Sequence, residues 1–201
     1  MRLVAPTVWT PRRKLLGNLI PALFWLPPAL FGLYWVAAKS QFIGPGLWSL
    51  ILSTVLGWLA VNQFGFFENN RMRNQLERIL KTQERNLPQD SVFVGFATPK
   101  YSSVLDAHED VGFLCFYGDH LNFVSERRSI ELYKSDITEI RFRPNVHSVI
   151  FLGRWVSVEA VTGGKPIRLL IEPRERRTLL KNRLYSADLL KRLRKWKGPV
   201  K

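Results

Sequence analysis

Residues 15–38 read LLGNLIPALFWLPPALFGLYWVAA, twenty-four positions without one charged side chain. About 20 such residues in a helix cross roughly 30 Å of hydrocarbon, so the run predicts a membrane-spanning helix over 15–38. A second uncharged run, LWSLILSTVLGWLAVNQFGFF at 47–67, predicts its partner. Each run holds eleven Leu, Ile, Val or Phe residues, enough to carry Asn18 in the first and Asn62 with Gln63 in the second. Trp25, Tyr34, Trp35 and Trp48 supply rings for an interfacial belt. The competing reading is a helix pair buried in a soluble core, and uncharged runs of this length weigh against it. Pro21, Pro27 and Pro28 predict a kink around 26–29, because proline removes a donor and clashes with the preceding turn. The carbonyls so freed need partners in lipid, most simply from the second helix. Ser49, Ser53, Thr54 and Gly57 give that helix a small, weakly polar face for close approach.

The cations outside these runs set the expected orientation. Arg2, Arg12, Arg13 and Lys14 precede the first run, Lys39 alone stands between the two, and Arg71, Arg73, Arg78, Lys81 and Arg85 follow the second. By the positive-inside bias both ends face the cytoplasm, as in a protein of the plasma (inner) membrane. Cleavage after Val36-Ala37-Ala38, as in a signal peptide, is the rival, but the apolar run exceeds a signal core of about 7–15 residues and carries a double proline. The organisation that follows is a basic cytoplasmic N-terminus (1–14), a transmembrane hairpin (15–67), a connector helix (68–87) and a cytoplasmic domain (88–201). Met72, Leu76, Ile79 and Leu80 place one apolar stripe on the connector. The connector reads as a continuation of the second span that Pro88 stops; its stripe either docks on the following domain or pairs with another chain.

Beyond Pro88 the apolar period changes from that of a helix to that of a strand. VFVGFATP (92–99) reads as a strand. GFLCFYGDHLNFVSE (112–126) reads as a hairpin turning at Gly118-Asp119, with Leu114 opposite Phe123 and Phe116 opposite Leu121 on one face. Cys115, Tyr117, His120 and Asn122 fall on the other face, and nothing near Cys115 marks a reactive thiol. SIELYKSDITEIRFRP (129–144) shifts phase between Leu132 and Ile137. RWVSVEAVTGGKPIRLLIEP (154–173) reads as two strands around Gly163-Gly164. Near the C-terminus Ser186 is a candidate N-cap, and Leu189, Leu190, Leu193 and Trp196 form one helical stripe; RERRTLLKNR before it is out of phase with that stripe and reads as a separate turn. The fold class is α+β: two transmembrane helices, then a small antiparallel sandwich or barrel of about seven strands with a C-terminal amphipathic helix.

This order of strands and final helix resembles the pleckstrin-homology superfamily, in particular its GRAM-like and bacterial PH-like members. The run HLNFVSERRSIELYKSDITEI (120–140) is similar to a GRAM strand followed by a D-I-x-x-I segment, and WVSVEAVTGGKPIRLLIEP (155–173) to the paired final strands. The resemblance spans about 91–196 and implies a non-catalytic domain that binds lipid head groups or a protein. Lipid-binding members carry several cations between their first two strands; PKYSSVLDAHEDVG (99–112) offers Lys100 against Asp106, Glu109 and Asp110, which departs from that pattern.

The formal net charge of +14 calls for a polyanionic partner. Its distribution is uneven: residues 88–173 hold nine Lys or Arg against eleven Asp or Glu, whereas 174–201 hold eleven against two. Anionic lipid head groups are the partner this charge suits, with an unknown protein beside them. Nucleic acid is disfavoured because Trp196, the ring among the cations of 189–197, belongs to the apolar stripe and is expected to pack under the barrel rather than stack on bases. Membrane-surface contact is accordingly expected of Arg12, Arg13, Lys14, Arg71 and Arg73. On the final helix it is expected of Lys191, Arg192, Arg194, Lys195 and Lys197. The alternatives are a membrane-tethered nucleic-acid binder and a metal-dependent enzyme that uses His108 with its neighbours Asp106, Glu109 and Asp110. No cofactor motif occurs, and TGGK (162–165) lacks the length of a phosphate loop. One cysteine excludes an intrachain disulfide.

Overall fold

In the computed structural model, which describes residues 7–40, 42–101 and 107–198, the chain divides into two units. Pro11–Phe67 forms one; the residues from Glu68 on, with the stretch before Pro11, form the other.

The first unit is an antiparallel helix pair, α1 (Pro11–Lys39) and α2 (Pro45–Phe64). Both are long and apolar enough to cross a membrane. Helix α1 starts four residues before the uncharged run, and it runs on as one helix past all three prolines. Ser49 Oγ donates to Pro28 O and Ser53 Oγ to Trp25 O, each at 2.7 Å. The expected cross-helix bonds therefore form, but not to the carbonyls of Leu23 and Phe24 that Pro27 and Pro28 deprive of donors. Thr54 instead bonds Leu50 O within its own helix. Close approach rests on Gly32 and Gly46 as well as Gly57. A Cβ on Gly32 would lie 2.8 Å from Leu50 Cγ and 2.9 Å from Gly46 O.

The connector does not continue α2. Turns over 65–68 interrupt it, with Glu68 in the left-handed region at φ 59°, and α3 (Asn69–Thr82) begins anew. It also ends before Pro88, at Gln83, and Glu84 is again left-handed at φ 58°. The stripe of α3 docks within its own unit: Met72, Leu76 and Leu80 are fully buried against Phe93, Val111, Phe113 and Cys115. Each such side chain stabilises the unit by about 1.5–3 kcal/mol.

Seven antiparallel strands follow: β1 (Val92–Ala97), β2 (Asp110–Phe116), β3 (His120–Ser125), β4 (Ser129–Tyr133), β5 (Ile137–Arg143), β6 (Trp155–Thr162) and β7 (Lys165–Pro173). They form one sheet in the order β4-β3-β2-β1-β7-β6-β5. β4 and β5 remain edges, so the sheet is open rather than closed into a barrel by hydrogen bonds. The hairpin register is as expected, Leu114 against Phe123 and Phe116 against Leu121. Its turn differs: neither Gly118 nor Asp119 has a positive φ, so it is not the mirror-image turn that hairpins favour. Gly163 and Gly164, at φ 57° and 74°, do supply such a turn between β6 and β7. The phase shift between Leu132 and Ile137 falls at the turn that separates β4 from β5, and a register irregularity lies between Ile137 and Glu139 within β5.

The face of the sheet carrying Val94, Phe96, Leu114, Phe123, Val158 and Ile171 packs under α4 (Leu179–Lys197) through Leu189, Leu190 and Leu193. The opposite face of β1 and β2 is covered by α3, so both strands are buried on both sides. Helix α4 is one helix, and Ser186 is not its cap. Thr178 caps it, accepting from Lys181 N at 3.3 Å. Buried Asn182 ties the entry loop down, accepting from Arg176 N and donating to Arg176 O and Thr178 O. Ser186 sits inside the helix and donates to Asn182 O.

Candidate functional site

The expected surface cations divide by what they touch. Arg12, Arg13 and Lys14 occupy the first turn of α1, which holds no acidic residue. Positive charge there opposes the helix dipole. Arg71 reaches Glu68 at 2.9 Å, and Arg73 reaches Glu77 at 3.1 Å and Glu175 at 2.7 Å. On α4, Arg192 pairs with Asp90 at 2.6 Å and stacks 4.0 Å over the Phe116 ring. Arg194 donates to Ile140 O and Lys197 to Thr138 O, both at the edge strand β5. Trp196 belongs to the packed stripe and donates to Tyr117 O at 2.6 Å. Lys191 and Lys195 are exposed and form no ion pair among the described residues.

His108 does not join its sequence neighbours. Its ring is buried and Nε2 lies 3.1 Å from Glu172 Oε2, itself fully buried on β7. Arg174 Nη1 lies 3.5 Å from His108 Nδ1, at the long end for a hydrogen bond. A tautomer with its proton on Nε2 satisfies both contacts. Gly95 on β1 makes room for the ring, since a Cβ there would fall 1.9 Å from His108 Cδ2.

Arg174 is 2% exposed, yet it carries a guanidinium. Its Nε donates to Asn69 Oδ1 at 2.8 Å, Asn69 Nδ2 donates to Arg174 O, and the guanidinium lies 4.9 Å from the Trp9 ring. Trp9 Nε1 donates to His108 O at 3.2 Å. Glu172 also accepts from Asn145 Nδ2 and Arg154 N. Burial alone would raise the Glu172 carboxyl, but the hydrogen bond from His108, nearby His147 and the Arg154 N–H outweigh it and hold it below the usual carboxylate range. This network joins the stretch before α1, the start of α3, β1 and the end of β7. Thr7 and Val8 extend it by donating to the Glu126 carboxylate at 2.7–3.1 Å.

The acidic neighbours face a different way. Glu109 pairs with Arg128 at 2.5 Å and accepts from Thr98; burial opposes its ionisation, but these bonds prevail and its carboxyl titrates below its ordinary value. Asp110 accepts from Ser125 and from its neighbour Val111, yet burial prevails and raises its carboxyl. Both line a cavity of about 310 Å³ with Trp9, Arg127 and Arg128, and His108 is not among its walls. Asp106 lies outside the described residues. Among those described, no three His, Cys, Asp or Glu side chains are placed to share a metal ion. Cys115 is fully buried, and burial followed by the field of Asp90 pushes its thiol up to about 11.

Sequence reading passed over Arg174, Asn69 and Trp9, and the segment 145–154. That segment forms a short 3-10 turn, Val146–Ile150, capped by reciprocal bonds between Asn145 and Ser148. The apolar spacing of VHSVIFLG fits neither a strand nor an α-helix; the run of Val, Ile and Phe was the one signal available. Comparison with family models, with curated proteins and with solved structures gave no match.

Proposed function

We propose that this chain is a non-enzymatic, membrane-anchored interaction module, in which α1 and α2 span the plasma (inner) membrane and a PH-like domain works at its cytoplasmic surface. The observation that carries the reading is the outer surface of the helix pair. Leu15, Leu23, Leu30, Leu33, Trp48 and Leu52 are each at least half exposed, and a row of large apolar side chains of this length is costly in water and favoured in lipid. Three cations set against the dipole at the start of α1 fit selection for the positive-inside bias rather than for helix stability. Two antiparallel meanders joined through β1 and β7, followed by a helix on one face, support the PH-like assignment. The domain's task is to bind a protein partner or anionic lipid. With one cation, Lys100, against Asp106, Glu109 and Asp110 in its sequence, 99–112 is a poor phosphate cradle, and the lipid surface as a whole is the better anionic partner.

The test is fractionation of the untagged chain. It should sediment with membranes and remain there after an alkaline carbonate wash. Release into the supernatant by carbonate would refute the anchor.

A further inference from the structure

We propose that the tip formed by Val149, Ile150 and Phe151, together with the exposed Leu184 that follows the Phe151-bonding Arg183 on α4, inserts into the headgroup region of an anionic bilayer. This rests on the membrane-anchored reading above. Val149 is 81% exposed, Phe151 67% and Leu184 64%, the most exposed large apolar side chains among the described residues of the sheet unit. They are not displayed by a loose loop. Phe151 N donates to Ser148 O, Leu152 N to His147 O, and Ser148 Oγ to Gly153 O. Arg183 clamps the far side by donating to Phe151 O at 2.5 Å. Phe151 itself sits in the left-handed region at φ 60°, which a bulky aromatic rarely adopts. The backbone is thus held in an unfavourable conformation that turns a phenyl ring to solvent.

The charge around the tip names its partner. Arg141 and Arg143 are taken up by Glu139 of their own strand and Glu159 of β6, which leaves Arg154 and Arg183, close enough to feel each other's charge, as the cations near the tip. Arg183 lies 5.7 Å from the Phe151 ring and Arg154 3.9 Å from the Phe142 ring. An apolar tip with guanidinium groups laid along its rings is the arrangement that seats rings among acyl chains and cations among phosphates. Leu184, Lys191 and Lys195 fall at i, i+7 and i+11 of α4, on one exposed side. Lys191 and Lys195 therefore share with Leu184 one exposed side of that helix. A few apolar side chains are far short of the roughly 800 Å² per partner of a stable protein interface, but are sufficient for shallow insertion beside an existing anchor.

The experiment labels Val149→Cys, and separately Leu184→Cys, with an environment-sensitive dye in the full chain reconstituted into vesicles. Both sites are exposed, so neither change disturbs packing, and buried Cys115 stays unlabelled. In vesicles containing phosphatidylglycerol the emission should shift to shorter wavelength and be quenched by brominated lipid; in phosphatidylcholine alone both effects should weaken severalfold. If the chain floats with the vesicles while the dye reports water and escapes quenching, the tip does not insert and the proposal is overturned. Energy transfer between labelled copies without lipid quenching would assign the tip to a second copy and also overturn it. Failure to float would refute the anchor itself, and with it the insertion.

Discussion

Replacing Glu172 by Gln tests whether the buried network holds the sheet unit together. The substitution keeps the volume, so no cavity forms, and removes only the charge and one acceptor. The carboxylate accepts bonds from Asn145 at 3.1 Å and Arg154 N at 3.2 Å and lies 3.1 Å from His108 Nε2, with no exposure to water. An amide NH₂ cannot face the Asn145 NH₂ or the Arg154 N–H, so at least one buried donor loses its partner. A lost bond to a buried charge costs about 1.5–3 kcal/mol, and breaking a buried ionic group about 3–5 kcal/mol. About 3 kcal/mol corresponds to roughly a hundredfold faster amide exchange where opening governs it. The assay is hydrogen exchange over β1 and β7, which meet at Gly95 and Glu172. The pH dependence follows from the lowered carboxyl. As pH falls, the unfolded chain takes up this proton first, near 4.5; the stabilisation is whole above that value and is lost as pH drops through the folded one. The Gln variant should lose that acid-limb dependence. Exchange accelerated by less than about threefold, with the pH dependence intact, would mean the network contributes little.

Gly32→Val should separate α1 from α2, because its branched side chain starts 2.8 Å from Leu50 Cγ; loss of disulfide trapping between cysteines placed across the pair reads it. Gly164→Ala meets no atom within 4 Å, so its cost is conformational alone, about 1 kcal/mol at φ 74° and visible as a modest fall in Tm. With its thiol at about 11 and its surface covered, Cys115 should resist a disulfide reagent at neutral pH until the domain is unfolded. Glu159 is held to about 2: burial works against ionisation but is outweighed by bonds from Arg143 and Ser157 and the charges of Arg143 and Arg168. Its stabilisation is therefore complete above about 4.5 and decays as pH falls towards 2. Glu159→Gln should remove about 1–2 kcal/mol of that dependence after solvent screening, measured by acid titration of the folded fraction.

What the sequence discloses here follows how local each determinant is. The two uncharged runs, the 112–126 hairpin register and the Gly163-Gly164 turn depend on residues a few positions apart, and the structure has them where the pattern puts them. The start of α4 was misplaced because its decisive group, Asn182, is a polar residue whose burial is set by the loop it bonds. The prolines point to the carbonyls of Leu23 and Phe24 as the acceptors in need of cross-helix partners, whereas Ser49 and Ser53 reach Pro28 and Trp25. α3 hid a second consequence: by covering the far face of β1 and β2 it makes VFVGFA a strand buried on both sides. Arg174 was counted with a cationic tail, because net charge carries no information on burial. His108 is adjacent in sequence to Glu109 and Asp110, yet its ring turns to Glu172 while both carboxylates turn towards Arg128.

The fate of the cations after residue 173 limits what charge can do for this molecule. Arg174 is buried, Arg176 stacks on Tyr185, Arg183 holds Phe151, and Arg192, Arg194 and Lys197 bond the domain's own acceptors. Much of the excess positive charge of 174–201 is therefore spent inside the fold, and on the last three turns of α4 only Lys191 and Lys195 are left over. At about 1 kcal/mol per cation near an anionic leaflet, two lysines contribute about 2 kcal/mol, roughly a thirtyfold preference. Association that weak cannot bring a soluble domain to a membrane. It is ample to choose which side of an already tethered domain faces the lipid. On the proposed membrane-anchored reading, the basic helix is an orienting element whose effect depends on α1 and α2. Cutting the chain between the two units should abolish vesicle binding by the sheet unit, whereas replacing Lys191 and Lys195 in the intact chain should change only which surface meets the bilayer.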